Sequence, residues 1–409
     1  MTIPYFCLLV IAALGYLILW HEGLLREKAA IFLSAALLLA AMALRAAMLP
    51  HETLDYQDFL TRWVDYFRQN GGFYALRRSV GNYNVPYLYF LAFFSYLPLR
   101  DLYLIKLLSI LFDLLLAWGV LRLVSRFQRG DTARLLAFFL TLFLPTVLLN
   151  GAYWGQCDSI YVAFAVWSLV FILEDKPIRG VAAIALSFAF KLQAVFLMPA
   201  FLVFLFAKKL KWWHLAFFPL TYLIIVLPCV LLGRPLTDVL LLYFNQADTV
   251  GSALNYNSAS MYALFRNAAN PEEAAKLGIA AAFAFLLAVY TLCWFRRKRL
   301  NQRALLTVSV LICLAVPFLL PHMHDRYFFM ADVLTLACAV VSPALAPMPV
   351  LTSFGSLMGY HAYLTMRWFL DKPQSMAWGA CALLAVTVTL CLDLVRRLCA
   401  PMEKVKKSG

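Results

Sequence analysis

The sequence predicts an all-α polytopic membrane protein with about 13 transmembrane helices and a long first outer loop that contains an interfacial amphipathic helix. Three observations carry this prediction. The 409 residues are 64% hydrophobic and only 14% charged, with a mean hydropathy of +0.79, whereas a soluble domain is about half apolar and about a quarter charged. The apolar runs are long and continuous, which excludes the alternating pattern of a membrane barrel and leaves the α-helix as the way to satisfy the backbone in lipid. Basic residues cluster in short gaps between those runs.

Taken in order, the runs fall near 2–20, 29–48, 102–123, 135–149, 160–173, 180–192, 194–207, 212–232, 276–295, 304–320, 327–345, 349–369 and 376–397. The stretch "VPYLYFLAFFSYLPL" (85–99) is short. If it crossed, the basic loop 122–134 would land outside and every later loop would invert. Read as a re-entrant or interfacial segment, it places every basic cluster on one side. Those clusters are Arg26 and Lys28; Arg122, Arg126, Arg129 and Arg134; Lys176 and Arg179; Lys208, Lys209 and Lys211; Arg296 to Arg299; and the tail from Arg396 to Lys407. This distribution is the positive-inside pattern of cytoplasmic loops, so the formal charge of +14 marks membrane orientation rather than a nucleic-acid partner. It predicts a multi-pass protein of the cytoplasmic membrane, N-terminus outside and C-terminus inside. The first run lacks a basic leader and precedes "HEGLLREK", which reads as a retained helix. The nine cysteines lie mostly within apolar runs without metal-ligand spacing and read as helix packing. No internal repeat interrupts the chain. One membrane domain is expected over 1–409, with a catalytic outer loop over 49–101 and a last group of helices over 304–409.

Polar residues gather at the opposite, non-cytoplasmic ends. The outer loop carries Asp55 and Asp58, and "NGAYWGQCDS" carries Gln156 and Asp158. "FKLQ" carries Lys191 and Gln193, and the loop 245–267 carries Asn255, Asn257 and Arg266. "LPHMHDRYFF" places His322, His324, Asp325 and Arg326 between two apolar runs. Asn82 to Asn84 and Asn255 to Asn257 both read Asn-Tyr-Asn, suited either to a sugar site or to loop turns. Ionisable groups at membrane depth are functional by default, although Lys191 with Asp158, and Arg326 with Asp325, also make plausible structural ion pairs. Lys106 and Asp113 read as polar partners that stabilise the fold.

In the outer loop, Tyr56, Phe59, Leu60, Trp63, Val64 and Phe67 recur at helical spacing, with Asp58, Arg62, Asp65 and Gln69 opposite. Such a helix is expected to lie in the membrane interface. Asp58 stands four residues before Arg62, the spacing of a surface ion pair. Asp55 sits at the helix start, where it either caps the helix or stands as an ionised carboxylate able to take a proton from a hydroxyl.

These ordered segments resemble the GT-C superfamily of polyprenyl-phosphate-sugar-dependent glycosyltransferases, in particular the bacterial relatives of GPI mannosyltransferases. "DYQDFLTRW" is similar to the family's first outer loop, which holds its essential acid. "NYNVPYLYFLAFFSYLP", "KLLSILFDLLLAWGV", "GAYWGQCDSIYVAF", "FKLQAVFLMP" and "HMHDRYFF" resemble later family segments in the same order. The resemblance implies inverting transfer of a hexose, most often mannose, from a polyprenyl-phosphate carrier to an extracytoplasmic glycan, lipid or protein acceptor. The family acid carries over to Asp55. Where GPI mannosyltransferases often have Asp-x-Asp, this chain reads Thr53-Leu54-Asp55, which leaves Asp58 as the second candidate.

The chemistry assigns the remaining roles. A departing phosphate is already a stabilised anion, so a base at the acceptor hydroxyl matters more than a general acid. Arg326 is expected to hold the donor phosphate, supported by His324, His322 and Lys191. Asp158, Gln156, Gln193, Asn255, Asn257, Arg266, Asn82 and Asn84 are expected around the substrates. No metal ligands are predicted and no cofactor is required, although a divalent cation such as Mg or Mn remains compatible. Expected partners are the donor lipid, the acceptor and membrane lipid. The rival reading is a secondary transporter or lipid-linked-sugar flippase, a class that commonly shows repeated halves and midplane charges.

Overall fold

The computed structural model describes residues 2–248, 251, 253–265, 270–370 and 374–400. Helices α1 (Thr2–His21) and α2 (Lys28–Met48) open the chain as an antiparallel pair. Leu8, Ile11, Ala12, Gly15 and Leu19 form the buried stripe of α1. At Gly15 a Cβ would sit 2.7 Å from the end of the Leu38 side chain, which would have to shift. Small residues let membrane helices approach closely in this way.

The outer loop follows as a π-helical turn (Tyr56–Leu60), α3 (Thr61–Gln69), a 3₁₀ turn (Gly72–Arg77) and α4 (Val85–Phe94). The expected helix is present, but its apolar face meets protein. Tyr56, Leu60, Val64 and Phe67 are buried, and α3 packs on the 3₁₀ turn, α4 and the next long helix. Phe59, placed by periodicity on the same stripe, is 51% exposed, and Phe73, Tyr74, Phe93 and Tyr96 are exposed beyond it. The 10 residues of α4 rise about 15 Å, half the thickness of the hydrocarbon core, so this helix does not cross by itself.

Helix α5 (Asp101–Ser125) is the central post. Its Asp113 receives Nη2 and Nε of Arg45 at 2.8 and 3.1 Å, and the Ser159 hydroxyl at 2.5 Å. Lys106 donates to the carbonyls of Met48, Leu49 and His51 at 2.9, 3.2 and 2.6 Å, tying off the end of α2 where intrahelical donors run out. The two polar residues therefore stabilise different neighbours of α5.

After α5 the helices shorten. Helix α6 (Asp131–Phe143) breaks at Leu144 into α7 (Pro145–Val147) and a π-helical segment (Leu148–Trp154), bent by 43°. Next come α8 (Asp158–Leu173), α9 (Pro177–Phe190), a 3₁₀ turn (Leu192–Phe196) and α10 (Ala200–Phe206). Lys209 pairs with Asp175 at 2.6 Å, so α9 and the segment after it form a hairpin whose turn is at Lys191. Helices α11 (Phe217–Leu231), α12 (Leu236–Leu240) and α13 (Leu242–Asp248) lead to strand β1 (Asn255–Tyr256). Then follow α14 (Pro271–Phe295), α15 (Gln302–Leu319), strand β2 (Met323–His324), α16 (Phe329–Val341), α17 (Pro347–Thr365) and α18 (Ser375–Cys399).

Among the described residues seven helices are long and apolar enough to span a membrane, or eight with the bent pair. This is fewer than the run count of about 13 obtained from the length rule. The difference lies in the runs realised as α8, α9, the 192–206 segment and α16, which are apolar helices of only 10–17 residues, and in α17, whose 19 residues are not among the spans. They stop where a polar interior begins.

At the other end the basic loops share one rim. Glu22 bonds Arg122 and Arg134 at 3.4 and 3.0 Å, and Glu174 bonds Arg122 and Lys176 at 2.5 and 2.6 Å. Gln302 reaches the Leu173 carbonyl at 3.3 Å.

The Arg45–Asp113 pair has both side chains 0% exposed, so removing one partner leaves an uncompensated buried charge. Arg45→Met is expected to cost about 3–5 kcal/mol, measured as a lowered thermal midpoint in detergent. Arg45→Met/Asp113→Leu is expected to recover most of the loss.

Candidate active site

The loop leaving α2 is pinned by Lys106 at the His51 carbonyl and by the Thr53 hydroxyl, which donates to the Trp154 carbonyl at 2.9 Å. This sets Asp55 against the π-helical segment. Asp55 makes no capping bond to its helix. Its Oδ2 accepts from Trp154 Nε1 at 2.9 Å and Gln156 Nε2 at 2.5 Å, and its Oδ1 accepts from the Tyr363 hydroxyl at 2.6 Å. Trp154 is fully buried and stacks on Tyr363, centroids 4.6 Å apart and planes 20° apart. The Arg326 guanidinium lies 5.5 Å from the centroid of the same indole. The carboxylate and the strongest cation are thus neighbours through one tryptophan.

The polar floor is built where helices end. Gly155 terminates the π-helical segment at φ +84°, a left-handed conformation that suits glycine. Asp158 then opens α8, and Lys191 follows the last residue of α9. Their side chains form a buried ion pair. The second Asp158 oxygen accepts from Asn150 Nδ2 at 2.7 Å, and that amide also reaches the Tyr360 hydroxyl at 3.1 Å. The Lys191 ammonium lies 5.6 Å from the centroid of the Tyr83 ring, whose hydroxyl donates to Gln156 Oε1 at 3.1 Å. Gln156 therefore links Tyr83 to Asp55.

A short parallel ladder carries the histidine segment. Strand β1 pairs with β2, and the His322 N–H donates to the Leu254 carbonyl at 2.8 Å. His322 and Asn257 both adopt left-handed backbone, at φ 62° and 56°. His324 stacks on Tyr256 with centroids 4.7 Å apart and planes 11° apart.

A cavity of about 520 Å³ is lined both by polar side chains, Lys191, Arg326, His322, His324, Gln193 and Asn82, and by apolar ones, Val195, Phe196, Ile279 and Leu320. A second cavity of about 560 Å³ runs between α1 and α5, but its lining is aliphatic and aromatic apart from His21.

Burial, followed by the charges of Arg326 and Lys191, pushes His324 down to about 4. This shift favours the uncharged imidazole, which stacks on Tyr256. Burial pushes Asp325 up to about 7 against the opposing pull of Arg326, whose Nη1 is 3.4 Å away. For Arg326, burial opposes the charge, but Asp325, Tyr83, Asp158 and Asp55 outweigh it and hold the guanidinium ionised.

The other expected residues divide. Asp58 is solvent-exposed and pairs with Arg62 at 3.3 Å, away from the Asp55 cluster. Asn84 caps α4 through its own side chain and donates to the Tyr222 hydroxyl at 3.0 Å. Asn255 closes a turn with Ser258 at 2.6 and 2.8 Å. Gln193 presents a buried Oε1 without a partner among the described residues. Arg266 lies outside the described residues. Trp154, Tyr363 and Asn150 belong to the site although they were not named as candidates, and Tyr83 and Tyr256 join them from the middle of the two Asn-Tyr-Asn segments. Among the described residues no group of three His, Cys, Asp or Glu side chains comes together that could hold a metal ion.

Fold and site together define a helical membrane bundle that holds a cradled carboxylate beside buried cations. The model of glycosyltransferase family 87 matches residues 82–321, more than half of the chain, and the chain belongs to that family. It is a membrane glycosyltransferase, consistent with the GT-C resemblance. No curated protein matches the chain. The family assignment sets aside the transporter alternative.

The Asp325 shift gives a stability prediction. Its folded pKa of about 7 stands above the ordinary 3.8, so between these pH values the native state keeps a proton that the unfolded chain has released. The contribution of Asp325 to stability therefore falls as pH rises from about 4 to about 7. Asp325→Asn is expected to remove that part of the slope in thermal midpoints measured across the range.

Proposed function

We propose that this chain transfers a hexose, mannose in the first instance, from a polyprenyl-phosphate-linked donor to an extracytoplasmic acceptor, with inversion at the anomeric carbon. The observation that carries this reading is the mixed lining of the cavity. Its cations and amides suit a phosphate and a sugar. The same lining includes the apolar Val195 and Ile279, which are 38% and 40% exposed. A soluble sugar nucleotide has no use for such apolar surface, whereas an isoprenoid tail suits it.

In this reading Asp55 takes the proton of the acceptor hydroxyl. The acceptor oxygen forms its bond to the anomeric carbon as the bond to the donor phosphate oxygen breaks, and that phosphate leaves with the electron pair. Arg326 and Lys191 meet the negative charge that develops on it. Attack opposite the leaving group inverts the anomeric centre without a covalent enzyme intermediate. Neutral His324 and the amides of Gln193 and Asn82 are suited to sugar hydroxyls. Asp158 holds Lys191 in place, and Asp58 has no part in the transfer. The cations assigned to the phosphate are side chains, so no resident divalent ion is required.

The basic rim supports an orientation in the cytoplasmic membrane with the N-terminus outside, the C-terminus inside and the site on the outer face. The single-domain reading of 1–409 is supported by Tyr363 of α17 and Asp55 of the first outer loop meeting in one site.

Purified protein in detergent is expected to transfer label from polyprenyl-phosphomannose to an alkyl mannoside and to keep that activity in EDTA. Asp55→Asn is expected to lower the rate roughly 10²–10⁴-fold, while Asp58→Asn retains it. An Asp55→Asn enzyme of full activity would remove the base from this scheme. For topology, Asn70→Cys is expected to react with an impermeant maleimide from outside the cell, and Arg129→Cys only after lysis.

A further inference from the structure

We propose that Tyr363 is a positioning residue that aims Asp55 and defines where the acceptor hydroxyl approaches; this rests on the reading of Asp55 as the base. A carboxylate offers two oxygens and about four lone-pair positions. At Asp55, Trp154 and Gln156 both donate to Oδ2, at 2.9 and 2.5 Å, and Tyr363 donates to Oδ1 at 2.6 Å. The side chains therefore take both positions on Oδ2 and one on Oδ1. The acceptor hydroxyl must donate to Oδ1, beside the tyrosine oxygen.

That placement gives Tyr363 a second part. Having donated its proton to Asp55, the phenolic oxygen keeps lone pairs that accept from a neighbouring hydroxyl of the acceptor. The group is held rigidly, because its ring stacks on Trp154 and Trp154 meets Tyr360 of the same helix edge-on at 5.1 Å. Gln156 is fixed separately through Tyr83. Among the described residues Tyr363 is thus the one protein donor on the reacting oxygen. In the transfer step the acceptor O–H bond breaks and its proton passes to Asp55 Oδ1, while Tyr363 keeps its own proton throughout.

The test uses Tyr363→Phe, which removes one oxygen and preserves the ring stack, in the full-length protein with polyprenyl-phosphomannose as donor and an alkyl mannoside as acceptor. A donor hydrogen bond stabilises an ionised carboxylate. Without it, the acid limb of the pH–rate profile is expected to move to higher pH. The acceptor kcat/KM is expected to fall about 10- to 100-fold from the loosened geometry, with the donor KM unchanged. Tyr360→Phe, which disturbs the same helix without touching Asp55, is expected to leave the acid limb in place. A Tyr363→Phe enzyme with the wild-type acid limb or the wild-type acceptor kcat/KM overturns the proposal, as does an equal shift of the limb in Tyr360→Phe. Failure here is separable from failure of the proposed function. If Asp55→Asn is inactive and Tyr363→Phe is normal, only the tyrosine assignment falls.

Discussion

The site depends on the buried ion pair of Asp158 and Lys191. In hydrocarbon a helix satisfies its own backbone, and any interruption exposes polar groups that need new partners. This chain interrupts three helical segments in one place: after the π turn at Gly155, before α8 and after α9. The two charges have the signs those ends require. A carboxylate suits the N-terminus of α8 and an ammonium suits the C-terminus of α9. Neutralising each other, with Asn150 as a third partner, they make a polar floor tolerable at that depth.

From that floor the remaining groups follow. Tyr83 lies over Lys191, Gln156 joins Tyr83, and Asp55 joins Gln156. The second cation has its own counter-ion within one residue, since Asp325 adjoins Arg326. Each positive group at the cavity thus comes with a carboxylate beside it, which limits the cost of keeping it charged in a nearly dry space. Arg326 still carries a buried Nε that no described group satisfies. The guanidinium is held in place with hydrogen-bonding capacity in reserve.

What the sequence disclosed reflects contrast. Asp55, Asp158, Lys191 and Arg326 stand out because ionisable residues are rare in a chain that is 14% charged, and all four belong to one neighbourhood. Trp154 and Tyr363 are equally close to the chemistry, but 15% of the chain is aromatic and nothing distinguishes these two from packing residues. The stripe from Tyr56 to Phe67 shows a related limit. Periodicity identifies an apolar face but not its cover, and here the cover is α4 and the 3₁₀ turn rather than lipid. Run length misleads about spans for a comparable reason. An apolar segment that ends against a polar interior has the same composition as one that crosses.

The family segment and the site do not coincide, and the mismatch is informative. Residues 82–321 contain Tyr83, Asn150, Trp154, Gln156, Asp158 and Lys191, which make up the floor and much of the cradle. Asp55 precedes that segment, while Arg326 and Tyr363 follow it. Without its flanks the middle of the chain lacks His322, His324 and Arg326 from the cavity lining, and it has neither a carboxylate on Trp154 nor a guanidinium over it. Both arrive only when the outer loop and the last helices close on the middle, and Tyr363 bonds Asp55 across 308 positions of sequence. The acid is thereby registered by contacts from both ends of the chain, so the transfer chemistry belongs to the assembled fold and not to any local motif.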